Sequence, residues 1–242
     1  MLLKKKYKIN RDELLEYFLQ IIIGYLVADI LTGAMHWFED TYLDYCLELP
    51  IVGEISKDNE LHHYFPRSML AYSYMEHMTI TLPLTLLLLV ILYILYKPIL
   101  NYPYFIASFA FFSITSNIIH RFSHMRDCEN SPVILFLQKI GILSSHTHHS
   151  VHHNTPNRRY CVISTYNNYV LDSVNFWRII ENIIYMITGV APHRKQTYDS
   201  YYKIHNHMHM QAKVTCPDTP TKQDVEELIQ KLKVYKDCPV SK

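Results

Sequence analysis

The sequence predicts an all-α, integral membrane helical protein with three to four transmembrane helices and a histidine-rich cap domain at one membrane face. Three observations predict it. Apolar residues are gathered into runs long enough to cross a bilayer, whereas both ends of the 242-residue chain are polar. Histidines recur at four-residue spacings, one helical turn apart. Those histidines fall at the ends of the apolar runs.

The first run, residues 14–37, is long enough to span a hydrocarbon core, although it carries Glu16 and Asp29. Asp29 is costly in lipid unless it faces protein or water, so it serves either the helix bundle or a function. The second, residues 78–96, has no charged residue and only Pro83 to interrupt it. Lys97-Pro98 and Asn101-Tyr102-Pro103 mark a turn, and residues 101–119 return as a third span. Residues 132–143 are too short to cross and read as an interfacial helix. Residues 161–190 hold a possible fourth membrane or interfacial segment, with an amphipathic helix expected around 172–188. The boundary falls near residue 195, and 196–242 is a polar C-terminal tail. Within it, residues 221–235 form a surface helix with acidic residues early and lysines late.

Composition excludes several classes. A formal net charge of +1 gives no reason to expect a nucleic-acid partner. The five cysteines, Cys46, Cys128, Cys161, Cys216 and Cys238, form no C-x-x-C and predict reduced structural thiols. Phosphate-binding glycine loops and a G-x-S-x-G elbow are absent. Lys4, Lys5, Lys6 and Lys8 precede the first helix without the pattern of a cleaved signal peptide.

With three crossings, His36, His62/His63, His77, His120/His124 and the stretch HTHHSVHH at 146–153 all reach one membrane face. His120 and His124 share a helix face, as do His148/His152 and His149/His153, and His36 and Asp40 are also four apart. Imidazole and carboxylate suit iron and zinc alike. A single zinc needs three or four ligands. The candidates His36, His62, His63, His120, His124, His148, His149, His152 and His153 outnumber that and fit two metal ions better. Asp40, Glu60, Glu76, His77, Asn168 and Asp172 are further candidates, as ligands or as partners that orient them. His146 and His193 stay open, and His205, His207 and His209 read as solvated tail residues. Phe109, Phe112 and Tyr74 are candidates to line an apolar cleft, and Arg121, Arg158 and Arg159 to meet lipid headgroups.

The stretches ADILTGAMHWFEDT (28–41), ELPIVG (48–53), ELHH (60–63), NIIHRFSH (117–124), HHSVHH (148–153) and CVISTYNNYVLDSVNFWRIIE (161–181) go further. In this order they resemble the plasmanylethanolamine desaturase family, also called Kua, a branch of the membrane lipid desaturases. The resemblance covers residues 28–195. Two positions depart from it. Tyr72 and Ser73 stand where the family has a His-Asp pair, with Glu76 and His77 as possible substitutes. Thr165-Tyr166 replaces a Gly-Trp, which bears on lipid specificity more than on metal binding.

The resemblance implies a lipid desaturase domain over residues 1–195, in the endoplasmic reticulum membrane. It implies two iron ions, O2 as co-substrate, and electrons through cytochrome b5 and its reductase. The implied substrate is a plasmanylethanolamine-like ether phospholipid, whose 1-O-alkyl chain becomes a vinyl ether. The alternatives are another di-iron acyl desaturase or hydroxylase, and a non-enzymatic membrane metal-handling protein. The positive-inside rule puts the lysine-rich N-terminus in the cytosol and the histidines opposite it. Electron delivery by cytochrome b5 requires the reverse.

Overall fold

The computed structural model describes residues 10–155, 157–192 and 218–235, and no strand occurs among them. Helix α1 (Arg11–Tyr42) starts at Asn10, whose side chain accepts from Glu13 N–H while Glu13 accepts from Asn10 N–H. Its 32 residues reach roughly 48 Å, well beyond a hydrocarbon core of roughly 30 Å. The surplus turns carry His36 and Asp40 past the apolar region. Asp29, Gly33, His36, Trp37 and Asp40 form one buried stripe at helical spacing.

Helix α2 (Val52–Tyr64) and a 3-10 turn (Pro66–Ala71) lead to α3 (Tyr74–Leu95), capped reciprocally by Ser73 and Glu76. A second 3-10 turn (Lys97–Asn101) returns the chain through α4 (Pro103–Ile114) and α5 (Ser116–His124). Among the described residues, two helices, α1 and α3, are long and apolar enough to cross a membrane. The third apolar run, expected as one span at 101–119, is divided at Thr115. Its hydroxyl donates to Phe111 O at 2.7 Å, a back-bond that disturbs the helical ladder. Exposed Leu82, Leu86, Val90 and Leu95 on α3, with Phe18 and Ile21 on α1, suit an acyl environment.

Helix α4 packs along α1 at close range. A methyl group at Gly24 would lie 2.7 Å from Phe105 O, and Ser108 donates to Ile21 O at 2.7 Å. Small residues at this crossing let the two backbones approach.

Three short helices cap the bundle: α6 (Pro132–Lys139), α7 (His146–Asn154) and α8 (Tyr166–Ser173). The irregular stretch Tyr160–Ser164 is fully buried beside α1. Asp29 explains how. Its carboxylate accepts from Ile163 N–H (2.9 Å), Ser164 N–H (3.1 Å), Ser164 Oγ (2.6 Å) and Asn167 Nδ2 (2.9 Å). The costly charge in the first span is thus the anchor for non-helical backbone that no sheet satisfies. Helix α9 (Phe176–Thr188) follows Asn175, which adopts a left-handed φ of 53° and breaks the run from α8. At 13 residues, roughly 20 Å, α9 is too short to cross, and exposed Ile179, Ile183, Met186 and Ile187 fit an interfacial position.

Two further expectations change, one in the C-terminal tail and one at the cysteines. The tail is not wholly solvated. Helix α10 (Lys222–Tyr235) sets the stripe Val225, Leu228, Ile229 and Leu232 against Tyr45, Leu61, Tyr64 and Phe65. Cys46 and Cys128 are disulfide-bonded rather than reduced, and Cys161 is a free, buried thiol. Both sit in loops of the polar cap, where spacing along the chain says nothing about proximity.

Candidate metal centre

Four helices bring their ligand atoms to one place. One group joins His62 of α2, His120 and His124 of α5, and His149 and His153 of α7, all buried. The other joins His36 and Asp40 of α1, His63 of α2 and His152 of α7, also all buried. Within each group the ligand atoms lie within 4.8 Å of one another. Consecutive residues serve different groups: His62 and His63 divide between them, and so do His153 and His152. Neighbours on a helix point about 100° apart, so each helix addresses two adjacent positions. His36 touches both sets, with ring centroids 4.6 Å from His152 and 5.3 Å from His120.

The nitrogens fit cations. His120 Nε2 lies 2.8 Å from His149 Nε2 and 3.0 Å from His124 Nε2, and His149 Nε2 lies 3.0 Å from His153 Nε2. A neutral ring nitrogen carries either one proton or one lone pair. His120 Nε2 and His149 Nε2 each meet two others, so hydrogen bonds cannot satisfy all three contacts, whereas a shared cation can. His62 Nε2 is buried without a hydrogen bond. Burial, reinforced by neighbouring imidazoles, holds His62, His149 and His153 well below the usual histidine range, in the neutral state that a metal requires.

The surrounding shell selects the ring tautomers. Tyr160 O lies 3.1 Å from His36 Nδ1, and Arg158 O lies 2.8 Å from His152 Nδ1. Each carbonyl takes the Nδ1 proton and leaves Nε2 to face the centre. Asp40 Oδ1 accepts from Asn59 Nδ2 at 2.8 Å and lies 2.9 Å from His63 Nε2, while Oδ2 lies 3.1 Å from His152 Nε2. Asn59 is a positioning residue that the sequence reading missed. Its place one turn before His63 was the available signal.

Other candidates lie elsewhere. His148 stands outside both groups; its Nε2 is 3.1 Å from Asn168 Nδ2, which also donates to Cys161 O. Asn168 therefore ties α7 to the buried stretch. Asp172 accepts from Arg159 N–H. His77 contacts Met69 O at 3.0 Å, and Glu76 caps α3, so neither joins a ligand group. His146 begins α7 and belongs to neither group. His193, His205, His207 and His209 lie outside the described residues.

A cavity of about 310 Å³ borders the centre. His36, His62 and His120 form part of its wall. Leu31, Leu84 and Leu88 line it along the membrane helices, and Glu39, Asp58, Tyr72 and Glu76 line its polar end. Phe109 and Phe112, expected to line a cleft, instead pack in the α1–α4 core. Tyr74 lies outside the cavity wall and stacks under the Arg121 guanidinium at 4.9 Å. Arg121 also donates to Leu70 O at 3.2 Å, so its charge is held in the cap.

A buried, histidine-rich cluster at the head of membrane-type helices defines a class of helical protein with a candidate metal centre. The comparisons with known proteins name the family. Residues 25–195 match the lipid desaturase domain, and the chain belongs to that family. A protein of Acanthamoeba polyphaga mimivirus, named a probable fatty acid desaturase, is 31% identical over 185 residues, 76% of this chain and 90% of the relative. Fatty acid desaturase 4-like 2, a chloroplastic protein of Arabidopsis thaliana, is 31% identical over 74% of this chain and 63% of its own length. Plasmanylethanolamine desaturase 1 of Mus musculus is 30% identical over 72% of this chain and 67% of its own length. No solved structure matches the chain.

Proposed function

We propose that the protein is an O2-dependent di-iron desaturase of ether phospholipids, converting plasmanylethanolamine to plasmenylethanolamine. The observation that carries this reading is the pairing of two adjacent ligand groups with a cavity of about 310 Å³ that has a leucine-lined part and whose wall includes His36, His62 and His120. Iron held by the two groups would activate O2, the oxidant needed to take hydrogen from an unactivated carbon, which side-chain acid–base chemistry cannot do.

The protein's own part is positional. Leu31, Leu84 and Leu88 take the chain and exclude water. His36 and His62 lie about one helical turn from Glu39 and Asp58 at the polar end, so the carbons placed against them are those nearest the glycerol. That geometry favours a bond close to the ether oxygen over one in mid-chain. Tyr160 O, Arg158 O and Asn59 keep the ligands aimed without moving. Reduction comes from an external donor, for which cytochrome b5 and its reductase in the endoplasmic reticulum membrane are our proposal.

A second reading has support from relatives of equal identity that are named fatty acid desaturases: acyl-chain desaturation at the same centre. Expression in cells that lack plasmalogens but contain alkyl ether lipids separates them. Acid-labile vinyl ether lipids are expected. New acyl double bonds alone establish the second reading, and neither product from a well-expressed protein overturns both. About two irons per purified chain are expected, and readily exchanging zinc instead would favour metal handling.

A further inference from the structure

Helix α10 lies beyond the stretch 25–195 that the family shares, yet it reaches the polar end of the cavity. Its first residue, Lys222, pairs through Nζ with the Glu76 carboxylate and sits 5.9 Å from the centre of the Tyr72 ring. Glu76 and Tyr72 both line the cavity. The helix is firmly placed. Thr221 and Asp224 cap it reciprocally, Tyr45 OH donates to Ile229 O at 3.0 Å, and Arg67 donates to Asp218 O at 3.1 Å. Arg67 is itself held by both oxygens of Glu129. Lys222 and Glu76 nevertheless keep side-chain exposures of 57% and 41%. An exposed ion pair contributes little and exchanges partners readily.

We propose that Lys222 and Glu76 read the headgroup of the lipid, an assignment that rests on the cavity taking a lipid chain. Lys222 meets the phosphate and Glu76 meets the amine of a zwitterionic phosphoethanolamine headgroup. The two charges that hold each other in the free protein are then each matched by the opposite charge two carbons apart on the ligand. A primary ammonium offers Glu76 N–H donors for charge-assisted hydrogen bonds. A quaternary phosphocholine offers charge without donors, and a phosphoglycerol headgroup leaves Glu76 facing net negative charge. The order of preference is therefore ethanolamine, choline, glycerol. Tyr72, which departs from the family pattern, supplies the ring beside which the cation lies.

The test uses the full-length protein in nanodiscs of equal ethanolamine, choline and glycerol phospholipids with identical chains. Native mass spectrometry counts the lipids retained. The wild type is expected to enrich the ethanolamine lipid. Glu76→Gln, which preserves the helix cap, is expected to lower the ethanolamine-to-glycerol ratio about tenfold, the worth of one charge-assisted hydrogen bond. Lys222→Gln is expected to weaken retention of all three classes with a smaller change in that ratio. Unchanged retention and ratios in both variants overturn the assignment. Desaturation measured on the same preparations tests the reaction separately. Headgroup preference without product sinks the reaction and leaves the reading pair standing; product without preference does the reverse.

Discussion

Asp40 is the one carboxylate among the ligand atoms, and its two oxygens face His63 and His152. Under the proposed di-iron assignment, Asp40→Ala is expected to cost one of two irons and all measurable activity, with the protein still folded. Iron analysis and gel filtration check this. His149→Ala is expected to do the same to the other group, because His149 Nε2 touches two neighbouring ring nitrogens. His148→Ala separates the groups from their support. Its contacts are Asn168 and Arg159, so iron content is expected to hold while activity falls about 10–100-fold, the usual effect of residues that orient ligands. Equal iron loss in His148→Ala and His149→Ala would contradict the two-group assignment.

At the scale of elements, the site depends on how α1 meets its neighbours. Asp29 holds two backbone N–H groups and the Ser164 hydroxyl of the buried stretch that follows α7, and the Asn167 side chain of α8. Asp29→Ala leaves those donors unpaired at about 1–3 kcal/mol each. A loss of about 3 kcal/mol or more is expected, read as a lowered Tm in detergent. Gly24→Val drives a side chain into Phe105 O and Ser108 at the α1–α4 crossing, at an expected cost of about 1–3 kcal/mol. A neutral Gly24→Val would show that the two helices do not approach as described. The interruption at Thr115 is the complementary device: α4 follows α1 in the apolar layer, and α5 then carries His120 and His124 into the centre.

At the scale of the whole molecule, the candidate metal ligands come from elements far apart in the chain. The candidate ligands of α1, α2, α5 and α7 come together only when these helices are assembled, so metal bound there would stabilise the fold by mass action. Chelation is expected to lower the Tm measurably, and reloading iron to restore it. Cys46 and Cys128 are expected to react with maleimide only after reduction, with Cys161 shielded until unfolding. Disulfides persist in oxidising compartments, and the basic N-terminus also favours a histidine face away from the cytosol. Full labelling of Cys46 and Cys128 without reductant would place that face in a reducing compartment, where cytochrome b5 can reach it.

Much of this was legible in order along the chain. Apolar runs marked α1 and α3, and four-residue spacings marked the pairs His120/His124, His149/His153 and His36/Asp40, because helical periodicity is a local property. The α10 stripe of Val225, Leu228, Ile229 and Leu232 was equally visible, but the surface it covers was not. What the sequence by itself determined is the helical class, the family and the reservoir of metal-binding side chains. Only the tertiary structure decided how these divide: His62 from His63, His153 from His152, and His148 from all of them. It also assigned Asp29 to the buried backbone, Glu76 to Lys222 and Cys46 to a disulfide. The reason is physical. Spacing within a helix fixes which residues share a face, but which cation, carbonyl or carboxylate that face meets is set by helices that are distant in sequence.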